Sequence, residues 1–189
     1  KIAGPGDYTA HIRTTGYSKQ ALRGALHSSL KRLQTSYLDV YQLHWPSRAT
    51  NYFGVRNYTH SENAEKEDNF LSVLETLNDF IIEGKIRHIG LSNETAWGTM
   101  KFLSEAEKHK LSRIKTIQNP YSLLNRTFEG GLAEVAMQEN IGLLAYSPLA
   151  FGVLSGKYRN GQAPAKGRVT LFPRFDRYSS KQCQDAVDL

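Results

Sequence analysis

The chain has 189 residues, of which 40% are hydrophobic and 22% are charged, a composition that supports one sizeable buried core. No apolar run approaches the ~18 residues of a membrane span, and no segment has the pattern of a secretory signal, so we expect neither a membrane protein nor an exported one. The formal net charge is +6, but the 24 Lys and Arg residues are interleaved with 18 acidic residues, which argues against nucleic-acid binding. Cys183 is the only cysteine, which excludes an internal disulfide and favours a reducing compartment.

Two helices and a long loop are predicted in the first half of the chain. Ser18 is a typical N-cap residue, and apolar residues follow it at helical spacing from position 21 to 33. Residues 46 to 68 form a polar and aromatic loop, and loops longer than ~12–15 residues in compact domains are usually functional or disordered. The next helix spans residues 70 to 81 and ends at Gly84, a common C-terminal signal.

Strand-like runs alternate with helices along the chain, which predicts a parallel sheet joined by right-handed crossovers. The helix lengths and the polar strand ends favour a (β/α) barrel over an open doubly wound sheet. A complete barrel needs ~200–250 residues, so we expect residues 1 to 189 to be one incomplete domain with roughly strands 3 to 7, the first of them ending near Lys1. The other predicted strands span 37–43, 86–91, 114–118 and 141–145, and the later helices span 95–109, 128–139 and a stretch from Ser179.

Each of the four predicted strands after Lys1 is followed by polar or aromatic residues that can form hydrogen bonds. The carboxyl ends of barrel strands open onto one face, where the chemistry of this fold takes place. A lone histidine is more often a core residue that is hydrogen-bonded to a neighbour. Here, however, all four strands end in polar residues, and this repeated pattern favours one shared functional site. The residues in question are His44, Ser92 with Asn93, Gln118, and Tyr146 with Ser147.

The sequence does not contain the motifs of two other common kinds of site, the Rossmann dinucleotide site and the metal site. No Gly-x-Gly-x-x-Gly sequence follows a strand, so nothing indicates a Rossmann fingerprint. His44, His60, His88 and His109 do not have the spacing of metal ligands, so we predict no metal site. The basic charge balance suits an enzyme that holds an anionic cofactor.

Five motifs in a fixed order make the whole chain resemble the aldo-keto reductases, from residue 1 to about residue 178. The resemblance is strongest to the bacterial NADP(H)-dependent branch, which is similar to the potassium-channel β subunits. It implies a (β/α)8 TIM barrel that uses NADPH/NADP+ to reduce aldehydes or ketones to alcohols. The motifs are Lys1 before Ile-Ala-Gly-Pro, and the segments 37–46, 84–93, 118–126 and 145–158.

The resemblance implies a catalytic set of Asp, Tyr, Lys and His, of which this chain holds the last two. His44 would polarise the substrate carbonyl, because a fixed donor stabilises the developing oxyanion and a neutral imidazole can donate at pH 7. Lys1 would lower the pKa of the acid tyrosine. By its position alone Lys1 would be a solvated terminal lysine. The family's Asp and Tyr are expected upstream of residue 1.

The resemblance also implies a set of cofactor contacts. Ser92, Asn93 and Gln118 would hold the nicotinamide carboxamide, which needs both donors and acceptors. Tyr146 would stack on the nicotinamide ring, with core packing as the alternative. A loop with glycine and lysine would wrap the pyrophosphate, and Arg168 would reach the cofactor unless it is simply solvated. The loop residues are Ser147, Pro148, Leu149, Gly152 and Lys157.

Three aromatic residues, Trp45, Tyr52 and Phe53, are predicted to form walls of the substrate pocket, with an exposed partner-facing loop as the alternative. Two other functions compete with the reductase. One is a regulatory subunit that binds NADP(H) with little turnover, against which His44 argues. The other is a catalytically incomplete fragment. We expect a cytoplasmic enzyme with a small carbonyl substrate and no nucleic-acid or membrane partner, and the oligomeric state stays open.

Overall fold

The computed structural model describes residues 1–5, 15–53, 55, 57–60 and 69–188. These residues form a parallel sheet of four strands and six α-helices, joined by loops with short 3₁₀ turns. The strands are β1 (Leu38–Gln42), β2 (Ile86–Ser92), β3 (Ile114–Gln118) and β4 (Gly142–Leu143). The helices are α1 (Lys19–Leu33), α2 (Phe70–Ile82), α3 (Ala96–Lys108), α4 (Leu132–Gln138), α5 (Arg168–Leu171) and α6 (Lys181–Asp188).

The sheet has the strand order β1-β2-β3-β4, with every neighbouring pair parallel. Ile2 adds a parallel bridge to Leu43 beside β1, through hydrogen bonds from its N–H to Gln42 and from the His44 N–H to its carbonyl. This bridge agrees with the strand that was expected to end near Lys1. Because all strands run in the same direction, their carboxyl ends lie along one edge of the sheet.

The chain divides into two compact units. The first unit comprises Lys1–Gln118 with Glu134–Leu144 and contains the sheet. Its apolar core lies between the sheet and the helices that connect the strands, since apolar faces of both element types are removed from water together. Fully or almost fully buried side chains of this core include Ile2, Leu22, Leu26, Tyr41, Leu74, Leu77, Phe80, Ile86, Ile89, Leu91, Leu103, Ile114 and Ile117.

The second unit comprises Asn119–Ala133 with Ala145–Leu189. It has a small core of its own, in which Ala150, Val153 and Tyr178 are buried. The ring of Phe151 packs against this core, with its centroid 5.1 Å from that of Tyr178. Loops and short helices make up most of this unit.

Ser18 caps α1 as predicted, since its side chain accepts a hydrogen bond from the Ala21 N–H. Two element boundaries were wrong. The helix predicted over 128–139 is a 3₁₀ turn followed by α4, because Gly131 has a φ of 121°, which an α-helix does not contain. The strand predicted over 141–145 is reduced to the two residues of β4, although the Leu144 N–H still bonds to the Ile117 carbonyl.

The loop predicted over residues 46–68 contains neither helix nor strand in its described part, and residues 54, 56 and 61–68 lie outside the described residues. Among the described residues, no helix combines the length and the apolar character that crossing a lipid bilayer requires.

Candidate active site

Residues from distant parts of the sequence meet at the carboxyl edge of the sheet. Ser92 and Gln118 are the last residues of β2 and β3 and are partners in the strand register. The Lys1 ammonium donates to Ser92 Oγ over 2.9 Å and also to the side-chain carbonyl oxygen of Gln118. The Ser92 hydroxyl in turn donates to the Gln118 backbone carbonyl over 2.8 Å. A residue predicted to be catalytic therefore contacts two residues predicted to hold the cofactor.

Asn93 connects this group to the end of β1. It is 5% exposed and has a φ of 54°, a left-handed conformation that asparagine adopts more readily than most residues. Its Nδ2 donates to the backbone carbonyl of His44 over 2.9 Å and to Ser92 Oγ over 3.2 Å, and its N–H donates to the Gln118 carbonyl. Asn93 thus fixes the spacing between the residues that follow β1 and β2.

His44 lies in a cluster with the three aromatic residues that were predicted to line the substrate pocket. Its ring centroid is 4.7 Å from that of Trp45 and 6.0 Å from that of Phe53. The Phe53 ring also contacts Tyr52 at 5.2 Å. Trp45 is only 3% exposed and donates its indole N–H to the Pro5 carbonyl, whereas Phe53 is 39% exposed. Phe53 is therefore more accessible to a small molecule than Trp45.

Electrostatics single out Lys1 among these residues. Burial lowers the pKa of its ammonium from 10.5 to about 8, although the residue as a whole keeps an exposed surface. Burial disfavours the charged form of a lysine because the ammonium loses its water shell. The group can therefore change protonation state close to neutral pH.

Sequence reasoning missed Tyr17, which holds the backbone next to His44. Its hydroxyl donates to the Trp45 carbonyl over 2.5 Å and accepts from the Trp45 N–H over 3.4 Å. Burial raises the pKa of Tyr17, so its phenol stays neutral. Nothing in the spacing of Tyr17 singles it out, because it lies directly before the N-cap of α1 and reads as part of a polar loop.

In the second unit, Tyr146 is held between two neighbouring segments of backbone. Its N–H donates to the Asn119 carbonyl over 3.1 Å, and its carbonyl accepts from the Tyr121 N–H over 3.3 Å. The side chain is half-buried, and burial raises the pKa of its hydroxyl, against a smaller opposing effect of Arg177. The backbone of Tyr146 is therefore fixed on both sides, and its phenol stays neutral.

The loop that follows Tyr146 has an unusual run of left-handed residues. Ser147, Ala150, Phe151 and Gly152 have φ values of 54°, 47°, 59° and 98°. The chain turns back on itself here, and the Ala150 and Gly152 N–H groups donate to the Ser147 and Leu149 carbonyls over 2.8 and 2.7 Å. These backbone hydrogen bonds give the loop one defined shape beside Lys157.

Gly152 makes room for a positive charge at this loop. A Cβ at this position would lie 2.7 Å from Cε and 2.9 Å from Nζ of Lys157, closer than real Cβ atoms come to other atoms. Glycine therefore lets the Lys157 ammonium lie against the loop backbone. Arg168 begins α5 and places its guanidinium 5.3 Å from the centroid of the Phe175 ring. Pro148 and Leu149 are loop residues, and Leu149 is exposed.

The predicted residues thus form two sets, one in each unit. Lys1, His44, Trp45, Tyr52, Phe53, Ser92, Asn93 and Gln118 belong to the first unit, and Tyr146, Ser147, Pro148, Leu149, Gly152, Lys157 and Arg168 belong to the second. Within the part of the chain that the structure describes, no group of three or more His, Cys, Asp or Glu residues is arranged to hold a metal ion.

Comparison with known proteins decides the family. Residues 7–184 match the Aldo/keto reductase family. The chain belongs to this family. The protein tas of Escherichia coli (strain K12) is 57% identical over 169 residues, which cover 89% of this chain and 49% of that protein. An aldo-keto reductase of Babesia bovis is 36% identical over 203 residues, which cover 99% of this chain and 70% of that protein.

A solved structure supports the same fold. The glycerol dehydrogenase of Gluconobacter oxydans superimposes with a TM-score of 0.65 at 24% identity, over 91% of this chain and 46% of that chain. The sheet of β1 to β4 is therefore part of a (β/α)8 barrel, and the family and fold that the five motifs predicted are confirmed. The chain spans about half the length of tas. The name of this family is that of a class of oxidoreductases.

Proposed function

We propose that the protein is an NADPH-dependent carbonyl reductase that converts small aldehydes or ketones to alcohols. The observation that carries this proposal is the meeting of Lys1, Ser92 and Gln118 at the strand ends, with Asn93 connecting them to His44. The residues at this edge offer a cationic donor, a hydroxyl, two amides and an imidazole. The aldo-keto reductase of Babesia bovis, a relative over most of its length, bears a name that agrees with this reaction.

Two sets of residues are proposed to hold the nicotinamide cofactor, which supplies a hydride when bound. Ser92, Asn93 and Gln118 offer both donors and acceptors, as a carboxamide requires. The loop with Gly152 holds the positive charge of Lys157 against its backbone, and a phosphate group requires such a charge. Tyr146 is assigned to the ring, Ser147, Pro148 and Leu149 to the phosphate loop, and Arg168 to an outer contact. The preference for NADPH over NADH follows the resemblance to the NADP(H)-dependent branch.

The remaining residues are assigned to the carbonyl substrate. His44 donates a hydrogen bond to the carbonyl oxygen, where negative charge develops in the transition state. Lys1 supplies a positive charge that lowers the pKa of the acid tyrosine implied by the family resemblance, and this tyrosine gives its proton to the same oxygen. Trp45, Tyr52 and Phe53 form an apolar wall, with Phe53 as its most exposed ring, which suits a small and partly apolar substrate.

We further propose that the enzyme is cytoplasmic and binds neither nucleic acid nor a membrane. A single cysteine and a reaction that consumes reduced cofactor fit a reducing compartment.

The test uses the full-length protein, NADPH or NADH, and a panel of small aliphatic and aromatic aldehydes and ketones. We expect NADPH to be consumed in step with alcohol formation, and NADH to be used more slowly. Tight NADPH binding without reduction of any carbonyl compound would favour a regulatory subunit with little turnover. Absence of NADPH binding would contradict both functions.

A further inference from the structure

An ion pair between Arg48 and Glu94 lies beside the candidate active site. Arg48 Nη2 is 2.5 Å from Glu94 Oε1 and Nη1 is 3.0 Å from Oε2, so both arms of the guanidinium are engaged. The Arg48 side chain is 18% exposed and the Glu94 side chain 4% exposed. This two-point geometry fixes orientation as well as distance.

The pair is attached to the start of α3. The Thr95 N–H donates to Glu94 Oε1 over 2.7 Å, and Arg48 Nη2 also donates to Thr95 Oγ1 over 3.0 Å. The same Thr95 hydroxyl accepts from the Gly98 N–H and so caps the helix. Glu94 is therefore held by a rigid element as well as by Arg48.

Aromatic rings hold Arg48 as well. Its guanidinium carbon is 5.6 Å from the centroid of Phe70 and 5.0 Å from that of Trp97. Phe70 is the first residue of α2 and Trp97 lies in the first turn of α3. Gly98 leaves space for the pair, since a Cβ there would collide with the carboxylate of Glu94 and the guanidinium of Arg48.

The Arg48–Glu94 pair joins the two segments of the chain that carry His44 and Asn93. Arg48 follows His44 by four residues, and Glu94 follows Asn93 directly. The same two segments are joined a second time by the hydrogen bond from Asn93 Nδ2 to the His44 carbonyl. Two separate connections thus prevent the segments from rotating about either one.

A buried ion pair of this kind contributes little net stability to a fold. The loss of water around two charges offsets much of their mutual attraction, and apolar residues of similar volume often serve stability as well or better. A buried ion pair is better suited to selecting one arrangement of the chain around it.

We propose that Arg48 and Glu94 are positioning residues that hold His44 and Asn93 at the separation required for carbonyl reduction. This inference rests on the proposed function. Neither residue touches the reacting atoms, so the pair acts through the backbone that carries His44 and through Asn93. Misplacement of a catalytic group by about 1 Å can lower the rate by ~10²-fold, which is the scale of effect expected here.

The test compares two mild variants with matched controls in the full-length protein. Glu94→Gln keeps the shape and removes the charge, while Arg48→Lys keeps the charge and removes the two-point contact. The controls are Glu83→Gln and Arg23→Lys. Arg23 and Glu83 form a similar two-point pair at 2.8 and 3.0 Å, with Arg23 over the Phe80 ring, but this pair is exposed and joins α1 to the end of α2.

Turnover is measured per NADPH-binding site, with the sites counted by fluorescence titration, so that unfolded protein does not enter the rate. We expect kcat per site to fall roughly 10- to 100-fold for Glu94→Gln and Arg48→Lys and to stay unchanged for both controls. Loss of binding sites with an unchanged kcat per site would overturn the proposal, because it would reveal a merely structural role. Equal effects in the control pair would overturn it too.

Backbone hydrogen exchange of residues 44–48 and 92–95 gives a readout that does not depend on activity. We expect faster exchange in both segments of the two site variants and parental exchange in the controls. Unchanged exchange would overturn the positioning role even if activity falls. A parent protein that reduces no carbonyl compound would refute the proposed function instead, while this exchange comparison would still report on the pair.

Discussion

Asn93 and His44 are joined across the ends of two neighbouring strands, with Asn93 Nδ2 donating to the His44 carbonyl over 2.9 Å. The bond takes the place of a strand ladder where β1 and β2 have both ended. It leaves the imidazole of His44 beside the aromatic cluster of Trp45 and Phe53. The backbone of His44 is therefore fixed by a residue that is itself assigned to the cofactor.

Replacement of His44 tests its assignment as the carbonyl donor. We expect His44→Gln in the full-length protein to lower kcat for carbonyl reduction by ~10²–10³-fold, the usual loss for one positioned oxyanion donor, with little change in NADPH affinity. His27→Gln is the matched control, because His27 is exposed on the helix α1. Near-parental turnover of His44→Gln would mean that His44 is only structural.

Replacement of Gln118 tests the carboxamide site. A buried polar group that loses its partner costs ~1–3 kcal/mol, so Gln118→Leu should raise the NADPH dissociation constant by roughly 5- to 150-fold. Gln138→Leu makes the same chemical change at an exposed position of α4 and should bind NADPH like the parent. Fluorescence titration measures both constants. Equal affinities would remove Gln118 from the cofactor site.

The positions of the strand ends were predictable from sequence because two simple patterns coincide there. Apolar runs define where a strand is buried, and a polar residue directly after such a run must find a partner at the sheet edge. Ser92 and Gln118 satisfy both conditions and are register partners in the structure. The roles of Lys1 and of the loop after Tyr146, in contrast, rested on the family motifs.

Long-range side-chain pairs were not predictable in the same way. Arg48 and Glu94 are separated by 46 residues, and neither has a spacing that distinguishes it from a solvated charge. The start of α4 was missed because the conformation of Gly131 depends on the tertiary path of the chain. Sequence patterns report local periodicity, whereas these features follow from which segments pack together.

Two variants of Tyr146 separate the ring from its hydroxyl. Tyr146→Phe keeps the ring and should bind NADPH like the parent. Tyr146→Ala removes the stacking surface and should weaken binding by roughly 2- to 10-fold, because aromatic pairs contribute ~0.5–1.5 kcal/mol. Tyr146→Ala should also slow hydride transfer, because the rate depends on where the nicotinamide ring lies relative to the substrate carbon. Single-turnover kinetics and titration check the two effects, and parental behaviour of Tyr146→Ala would exclude the stacking role.

The protonation of Lys1 should appear in the pH profile. Burial lowers the pKa of Lys1 to about 8, so its positive charge is lost as the pH rises through this value. If the charge assists proton transfer, kcat/KM falls above about pH 8 in the parent. Lys1→Arg keeps its charge to far higher pH and should lack this descending limb, whatever its absolute rate. Lys19→Arg is the control, because the Lys19 side chain is exposed. If kcat/KM of Lys1→Arg falls with rising pH just as it does in the parent, the titrating group is not Lys1.

Two helical glycines offer a test of the packing around the Arg48–Glu94 pair. A Cβ at Gly98 would collide with both charged groups, so Gly98→Ala should lower the free energy of unfolding by about 1–3 kcal/mol, as overpacking does. Gly24 in α1 has no atom within 4 Å of a Cβ, so Gly24→Ala should raise this free energy by about 0.5–1 kcal/mol through helix propensity. Urea unfolding of the full-length protein, followed by circular dichroism, measures both changes. Opposite signs are expected because the same substitution meets a filled space at one position and open solvent at the other. A stabilised Gly98→Ala variant would mean that the pair can move aside, and that its close contact with α3 does not hold Arg48 in place.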